Sequence, residues 1–288
     1  MQNLRGSMFM ILAMFAFTVE DFTLKIATQF IPLGELLLLC GIIGSVFFMF
    51  CSKIKKEPIL HRDAFSKILI IRSIFETMGR VFYALAIMYI PITNAASIHQ
   101  VTPIVVVLGA VYFLKEEVSW ERWIAIFTGF IGVLIIIQPG TSDFSIFSLF
   151  AVLGVIGFAG RDLATRMSPT DISNYQLGSF GFLMVILAGL LLIIFNSIFM
   201  PSSKIWFELN SVAWLFILAN AIAGICAYFC LTIAMRVGDV SFVTPFRYIR
   251  VLFALLFGVL LLGEEPNSLV LVGSMIVLVS GIYIVVKK

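Results

Sequence analysis

Arg72, Glu76 and Arg80 are spaced by four within one apolar stretch, so any helix that contains them carries all three on a single face. Arg247 and Arg250, three apart on either side of Tyr248, share a face in the same way. Glu20 adjoins Asp21, Arg161 adjoins Asp162, and His99 and Gln100 stand one turn before Pro103. Planar guanidinium forks hold carboxylate or phosphate bidentately, and an imidazole with an unperturbed pKa of about 6.5 carries a proton near neutral pH. These residue types therefore suit the binding and exchange of charged groups. They do not suit catalysis. His61 and His99 are the two histidines, and Cys40, Cys51, Cys226 and Cys230 have neither disulfide-framework nor zinc-site spacing. No nucleophile and base constellation or Gly-rich phosphate loop occurs, so neither an enzyme, a metal site nor a cofactor is expected.

Lipid has to surround whatever positions these groups. The chain has 288 residues, 61% of them apolar and 12% charged, with a mean hydropathy of +1.11. Soluble domains average about 45–50% apolar and about 25% charged, so this composition excludes a cytosolic enzyme, a nucleic-acid binder, a disordered chain and a secreted disulfide scaffold. The apolar stretches run to lengths that suit membrane helices, about 20 residues, and lack the alternation of barrel strands. The fold class expected is all-α and polytopic, with ten spans near 6–28, 32–52, 67–90, 93–114, 119–138, 144–166, 173–199, 211–236, 240–262 and 267–286. The first apolar run is too long for a signal-peptide core and reads as an uncleaved span.

With the N-terminus placed in the cytoplasm, twelve of the 19 Lys and Arg fall at cytoplasmic span ends, against Lys25 and Lys204 on the far side. That bias follows the positive-inside rule and predicts two cytoplasmic termini. The chain also repeats itself. Asp21 and Lys25 near the end of span 1 align with Asp162 and Arg166 near the end of span 6, both at an offset of 141. Glu116 and Glu117 after span 4 align with Glu264 and Glu265 after span 9, and Gly132 aligns with Gly281. Two copies of an odd, five-span unit must have opposite topology, which predicts halves 1–140 and 141–288 related as an inverted repeat, the architecture of many secondary transporters.

The stretch from Ala95-Ala96-Ser97 through Pro103 to Lys115-Glu116-Glu117, then Trp120-Glu121-Arg122-Trp123 and Gly129 to Gln138-Pro139-Gly140, resembles the EamA-like branch of the drug/metabolite transporter superfamily. Arg161-Asp162 with Arg166, and Pro245-Phe246-Arg247-Tyr248 through Leu262-Gly263-Glu264-Glu265-Pro266, carry the same resemblance into the second half. It implies a ten-helix bundle in a bacterial-type inner membrane, acting as a monomer or homodimer on a small-molecule substrate by alternating access. The cavity it implies is lined by spans 1, 3, 4, 6, 8 and 9, and the proton is the coupling-ion candidate. Close relatives often carry an arginine in span 2 where this chain has Cys40, with Glu35 earlier. The span 9 sequence looks most like relatives that take up S-adenosylmethionine-like or riboflavin-like metabolites, while amino-acid exporters share the fold.

Each ionisable group at a helix centre costs about 2.5–3.5 kcal/mol even on the lenient insertion scale, so it is paired, wetted or useful. Arg80, deeper than Arg72, is expected to bind a substrate acid, while Glu76 either neutralises its helix neighbours or joins the site. Arg247 and Arg250 either line the pathway or clamp Glu20, Asp21 or Glu35. His99 is either a proton carrier or a hydrogen-bonded packing residue. Gln100, Tyr83, Tyr228 and Tyr248 are further binding candidates, and Phe82 is a stacking candidate. Asp21, Glu20, Asp162, Arg161 and Arg72 are expected to gate or couple, and Pro103 and Pro245 to act as hinges. Glu116, Glu117, Glu264 and Glu265 are expected to be architectural, with a basic residue or a helix N-terminus as partner, because acids at a helix C-terminus oppose its dipole.

Overall fold

A computed structural model describes residues 2–58, 63, 65–115, 119–138, 145–169, 171–199, 211–238 and 240–286. His61, Arg62, Glu116, Glu117, Pro139, Gly140, Lys204, Lys287 and Lys288 lie outside the described residues, as do the expected division at 140/141 and the side chain of Pro245.

The described residues form helices and no strands: α1 (Gln2–Ala27), α2 (Leu33–Ile54), α3 (Lys67–Tyr89), α4 (Ile92–His99), α5 (Thr102–Gly109), α6 (Trp120–Ile137), α7 (Ser148–Arg166), α8 (Asn174–Phe199), α9 (Ser211–Val237), α10 (Val240–Val243), α11 (Ile249–Leu262) and α12 (Ser268–Val286). Among the described residues, six segments are long and apolar enough to cross a membrane, namely α1, α2, α7, α8, α9 and the Ile92–Phe113 run. Helix α3 is not among them because its core carries Arg72, Glu76 and Arg80.

Polarity is inverted relative to a soluble fold. Arg72 and Glu76 are 1% and 0% exposed, whereas Ile74 between them on the opposite face is 63% exposed and Leu260 of α11 is 69% exposed. On α1, Leu4, Met8, Leu12 and Phe15 form an outward apolar stripe at helical spacing, and Asp21 faces inward. Charges that lipid rejects are thereby collected inside.

The main helix pairs are α1 with α9, α2 with α8, α3 with α7 and α6 with α12. Small residues set how close they come. A Cβ on Gly157 of α7 would lie 2.4 Å from the backbone nitrogen of Gly79 on α3, so these helices touch main chain to main chain.

Two stretches expected as continuous spans are broken. Between α4 and α5 the helix tightens at Gln100 and Val101, whose N–H groups donate to Ser97 and Ile98. Pro103 has no N–H for the carbonyl of His99 four residues earlier. The Thr102 hydroxyl supplies the missing donor, 2.6 Å from that oxygen. After α5, residues Ala110–Leu114 widen into a π-turn. In the second half, α10 passes into a 3₁₀ turn at Thr244–Tyr248, with Pro245 in its first turn, before α11 begins.

Helix α11 ends at Gly263, whose φ of 66° takes the left-handed turn a C-terminus favours. That turn delivers Glu264 to the start of α4, where its carboxylate accepts from Ile92 N (2.7 Å), Thr93 N (3.1 Å) and Thr93 Oγ1 (2.7 Å). Lys25 at the end of α1 donates to the same carboxylate at 3.2 Å and to Ile90 O at 3.0 Å. The acid therefore sits at an N-terminus, where the helix dipole favours it. The helix concerned is α4, distant in sequence.

Gly157→Ala is expected to lower stability by about 1–3 kcal/mol through overpacking against Gly79. Thermal unfolding of the detergent-solubilised protein measures this, and an unchanged midpoint would mean that α3 and α7 are not in main-chain contact.

Candidate functional site

Side chains three or four residues apart on several helices converge on one interior volume. Helix α1 contributes Met14, Phe17, Glu20 and Asp21; α3 contributes Arg80 and Tyr83; α4 ends at His99; α7 contributes Phe158 and Arg161; α9 contributes Leu231; the 3₁₀ turn and α11 contribute Arg247 and Arg250. Together they enclose a cavity of about 340 Å³, its mouth included. The elements are those that spans 1, 3, 4, 6, 8 and 9 correspond to.

Two sets of buried ion pairs form and back its wall. Arg80 Nη1 meets Glu20 Oε1 at 2.7 Å and its Nε meets Glu76 Oε1 at 3.3 Å. Glu76 also faces Arg161 at 3.4 Å, and Arg161 pairs with Asp162 at 2.9 Å. Asp162 in turn holds Arg247 at 2.5 Å. Arg250 Nη2 donates to Asp21 Oδ2 at 2.5 Å, and Tyr83 donates to the same oxygen at 3.4 Å. Aromatic faces share the charge: Arg161 lies 4.7 Å from the Phe158 ring, and Arg250 lies 5.2 Å from both Phe17 and Tyr83.

Arg72 departs from this pattern. Its Nε donates to Thr165 Oγ1 at 2.9 Å and its Nη2 to the Tyr228 hydroxyl, which itself donates to Glu76 Oε2 at 3.2 Å. Arg72, Tyr228, Thr165 and Thr232 line a second cavity of about 190 Å³, which shares Arg161 and Leu231 with the first.

Several expectations need correction. Arg247 lines the cavity, the first of its two alternatives, and its ion pair is with Asp162 and not with Glu20, Asp21 or Glu35. Arg250 both lines the cavity and clamps Asp21, so its two alternatives hold together. Glu76 is enclosed between Arg80, Arg161 and Tyr228 behind the wall, the neutralising role. Tyr248 is buried beside Ile136, Val251, Val270 and Leu278, away from the charges, because a residue one after Arg247 and two before Arg250 points off their shared face. Gln100 turns its amide back onto Ala96 O at 3.2 Å instead of reaching the cavity. Phe82 stacks on Phe150. His99 does line the cavity, edge-on to Tyr83 at 4.8 Å, with Thr102 Oγ1 3.2 Å from Nδ1.

Sequence reasoning passed over Met14, Phe17, Phe158 and Leu231, whose apolar types carry no signal against an apolar background. Asn220 was findable, as a lone amide in an apolar span. It donates to Glu20 O at 2.7 Å and Thr23 Oγ1 at 3.1 Å, and its Oδ1 accepts from Cys40 at 3.3 Å.

An apolar exterior around a charged interior cavity defines a polytopic helical membrane protein. The chain belongs to the EamA-like transporter family, whose model matches residues 4–138 and 144–286. It is similar to the S-adenosylmethionine uptake transporter of Rickettsia felis, at 26% identity over 76% of this chain and 71% of that one. It is also similar to the riboflavin transporter of Vibrio cholerae, at 26% identity over 75% and 70%. The pseudopaline exporter CntI of Pseudomonas aeruginosa matches at 24% identity over 96% and 94%. A solved crystal structure superposes with a TM-score of 0.71 at 17% identity, covering 98% of this chain and 95% of its own, which shows a shared fold. The protein is thus a multi-pass membrane protein of a transporter family and not an enzyme.

Removing one partner of a buried pair leaves an uncompensated charge, a loss of about 3–5 kcal/mol. Asp21→Asn and Arg250→Gln are each expected to destabilise by that order, and the double variant by less than the two losses combined. Denaturation of all four proteins measures the coupling, and strict additivity would mean the pair does not form.

Proposed function

We propose that this protein is a secondary transporter that moves a small zwitterionic or amphipathic organic metabolite across a bacterial-type cytoplasmic membrane by alternating access. The observation that carries this is the mixed-sign cavity wall, in which Arg80, Arg161, Arg247 and Arg250 face Glu20 and Asp21 beside the His99 ring. Guanidinium groups suit a solute carboxylate, and the wall acids suit an ammonium or sulfonium centre. Phe17, Phe158 and Leu231 suit an apolar body. S-adenosylmethionine-like, riboflavin-like and amino-acid-like solutes fall within this class, and the relatives named above include both uptake transporters and an exporter.

Ten spans in two inverted halves, 1–140 and 141–288, with both termini cytoplasmic, belong to the same reading. Its support is the reciprocity of helix pairing. If α1 corresponds to α7 and α3 to α9, the α1–α9 contact becomes the α3–α7 contact, and the α2–α8 and α6–α12 contacts map onto themselves. The two stretches matched by the family model, 4–138 and 144–286, divide the chain at the same place. The broken segments around Pro103 and Pro245 serve as hinges. Glu20, Asp21 and Arg161 on the wall, with Asp162 and Arg72 behind it, serve as the gating and coupling groups. A proton-coupled exporter of amino acids or drugs is the second reading, favoured by His99 and the acids on the wall.

Proteoliposome flux with a panel of radiolabelled solutes, with and without a pH gradient, tests these points. Arg80→Ala and Arg250→Ala are each expected to cut flux at least about tenfold, the equivalent of one lost charged contact. If neither changes affinity or flux, the cavity is not the binding site. Flux indifferent to the pH gradient would remove His99 and the acids from a coupling role. Reporter fusions at the two ends check the topology, since a reporter active only outside the cytoplasm would contradict it.

A further inference from the structure

Among the fully buried side-chain atoms of the residues that line the cavity, those left without a hydrogen-bond partner are all guanidinium nitrogens. Arg80 Nη2, Arg247 Nε and Arg250 Nε have no partner, on side chains more than nine-tenths buried that all line the cavity. Each wall carboxylate already holds a guanidinium through one oxygen, Glu20 through Oε1 to Arg80 and Asp21 through Oδ2 to Arg250. The spare guanidinium N–H groups are best satisfied by an acceptor bearing negative charge.

Fixed charge points the same way. The two sets of ion pairs and their immediate neighbours hold five arginines, at 72, 80, 161, 247 and 250, against the four carboxylates of Glu20, Asp21, Glu76 and Asp162. The sum is +1 with His99 uncharged, and a proton on His99 would raise it. Arg72 is the source of the excess. Among the described residues it makes no ion pair, and it is held by the hydroxyls of Thr165 and Tyr228. An unbalanced cation in a low-dielectric interior is costly, and a solute of opposite charge in the adjoining cavity offsets that cost.

We infer that the solute this cavity recognises is a net monoanion, with acidic groups outnumbering basic ones by one. An oxyanion end, typically a carboxylate, sets against Arg80, Arg247 and Arg250, and an apolar body packs on Phe17 and Phe158. This rests on the transporter reading and narrows it. A simple zwitterion leaves the excess charge in place, a net cation adds to it, and a dianion overshoots it. An acidic zwitterion with two carboxylates and one ammonium group fits.

The test uses full-length protein in proteoliposomes offered an equimolar pool on related skeletons. The pool holds glutamate and N-acetylphenylalanine as monoanions, phenylalanine and methionine as zwitterions, phenylalanine methyl ester and choline as cations, and succinate as a dianion. Mass spectrometry reads accumulation above protein-free vesicles. At least one monoanion is expected to exceed every zwitterion, cation and dianion by about tenfold, as burial of one unmatched charge demands. Accumulation led by a zwitterion, a cation or succinate overturns the inference and leaves the transporter reading standing. If nothing accumulates, the transporter reading fails and the inference with it. Arg72→Gln removes the excess charge while keeping a donor for Thr165, so preference is expected to shift from monoanions towards zwitterions. An unchanged order in a folded variant overturns the charge argument, and the wild-type order decides the matter where the variant does not fold.

Discussion

Burying five guanidinium groups and four carboxylates inside a lipid-facing protein is the constraint on which this structure turns. Transfer of a single ion from water to a low-dielectric interior costs on the order of 20 kcal/mol in the idealised limit and still several after relaxation. No single helix can meet that demand, so partners come from different elements: Arg80 of α3 with Glu20 of α1, Arg161 of α7 with Glu76 of α3, Arg247 of the 3₁₀ turn with Asp162 of α7, and Arg250 of α11 with Asp21 of α1. Helix pairing, backbone contact at Gly157 and the outward apolar stripes all follow from bringing these groups within reach of one another. In water the same residues would be solvated and would specify little.

Close approach is also what places the carboxylate of Glu20. A Cβ on Gly224 of α9 would lie 2.9 Å from Glu20 Oε1, so the acid occupies space that only glycine leaves free on that helix. The adjoining Asn220 ties α9 to the backbone of the same residue. One carboxylate is thereby fixed from α9 by shape and amide, and from α3 by charge.

Much of this was legible in the sequence, because lipid makes each charge conspicuous. The spacing of Arg72, Glu76 and Arg80 placed them on one face, and the pair at 247 and 250 on another. The choice of partner was not legible. That Asp162 serves Arg247, or that Lys25 reaches Glu264, depends on helices far apart in sequence meeting at a particular depth. The break at Gln100 and Val101 was visible only as Pro103, because the Thr102 hydroxyl that stabilises it looks ordinary in a run of β-branched residues. Tyr248 was misplaced because nearness in sequence to two arginines is not a shared face: at about 100° per residue it points well away from both. Apolar wall residues such as Phe158 and Leu231 have no contrast with the rest of such a chain.

Helix α11 is secured at both ends by charge. Near its start Arg250 holds Asp21 of α1, and just beyond its end Glu264 holds the first turn of α4 and the lysine of α1. Between these ties runs an unbroken rod of 14 residues, jointed at the 3₁₀ turn. The first turn of α4 is thus tied to the end of α11, while His99, at the other end of the same eight-residue helix, stands on the chamber wall: one short helix joins the charge cluster around Glu264 to the cavity.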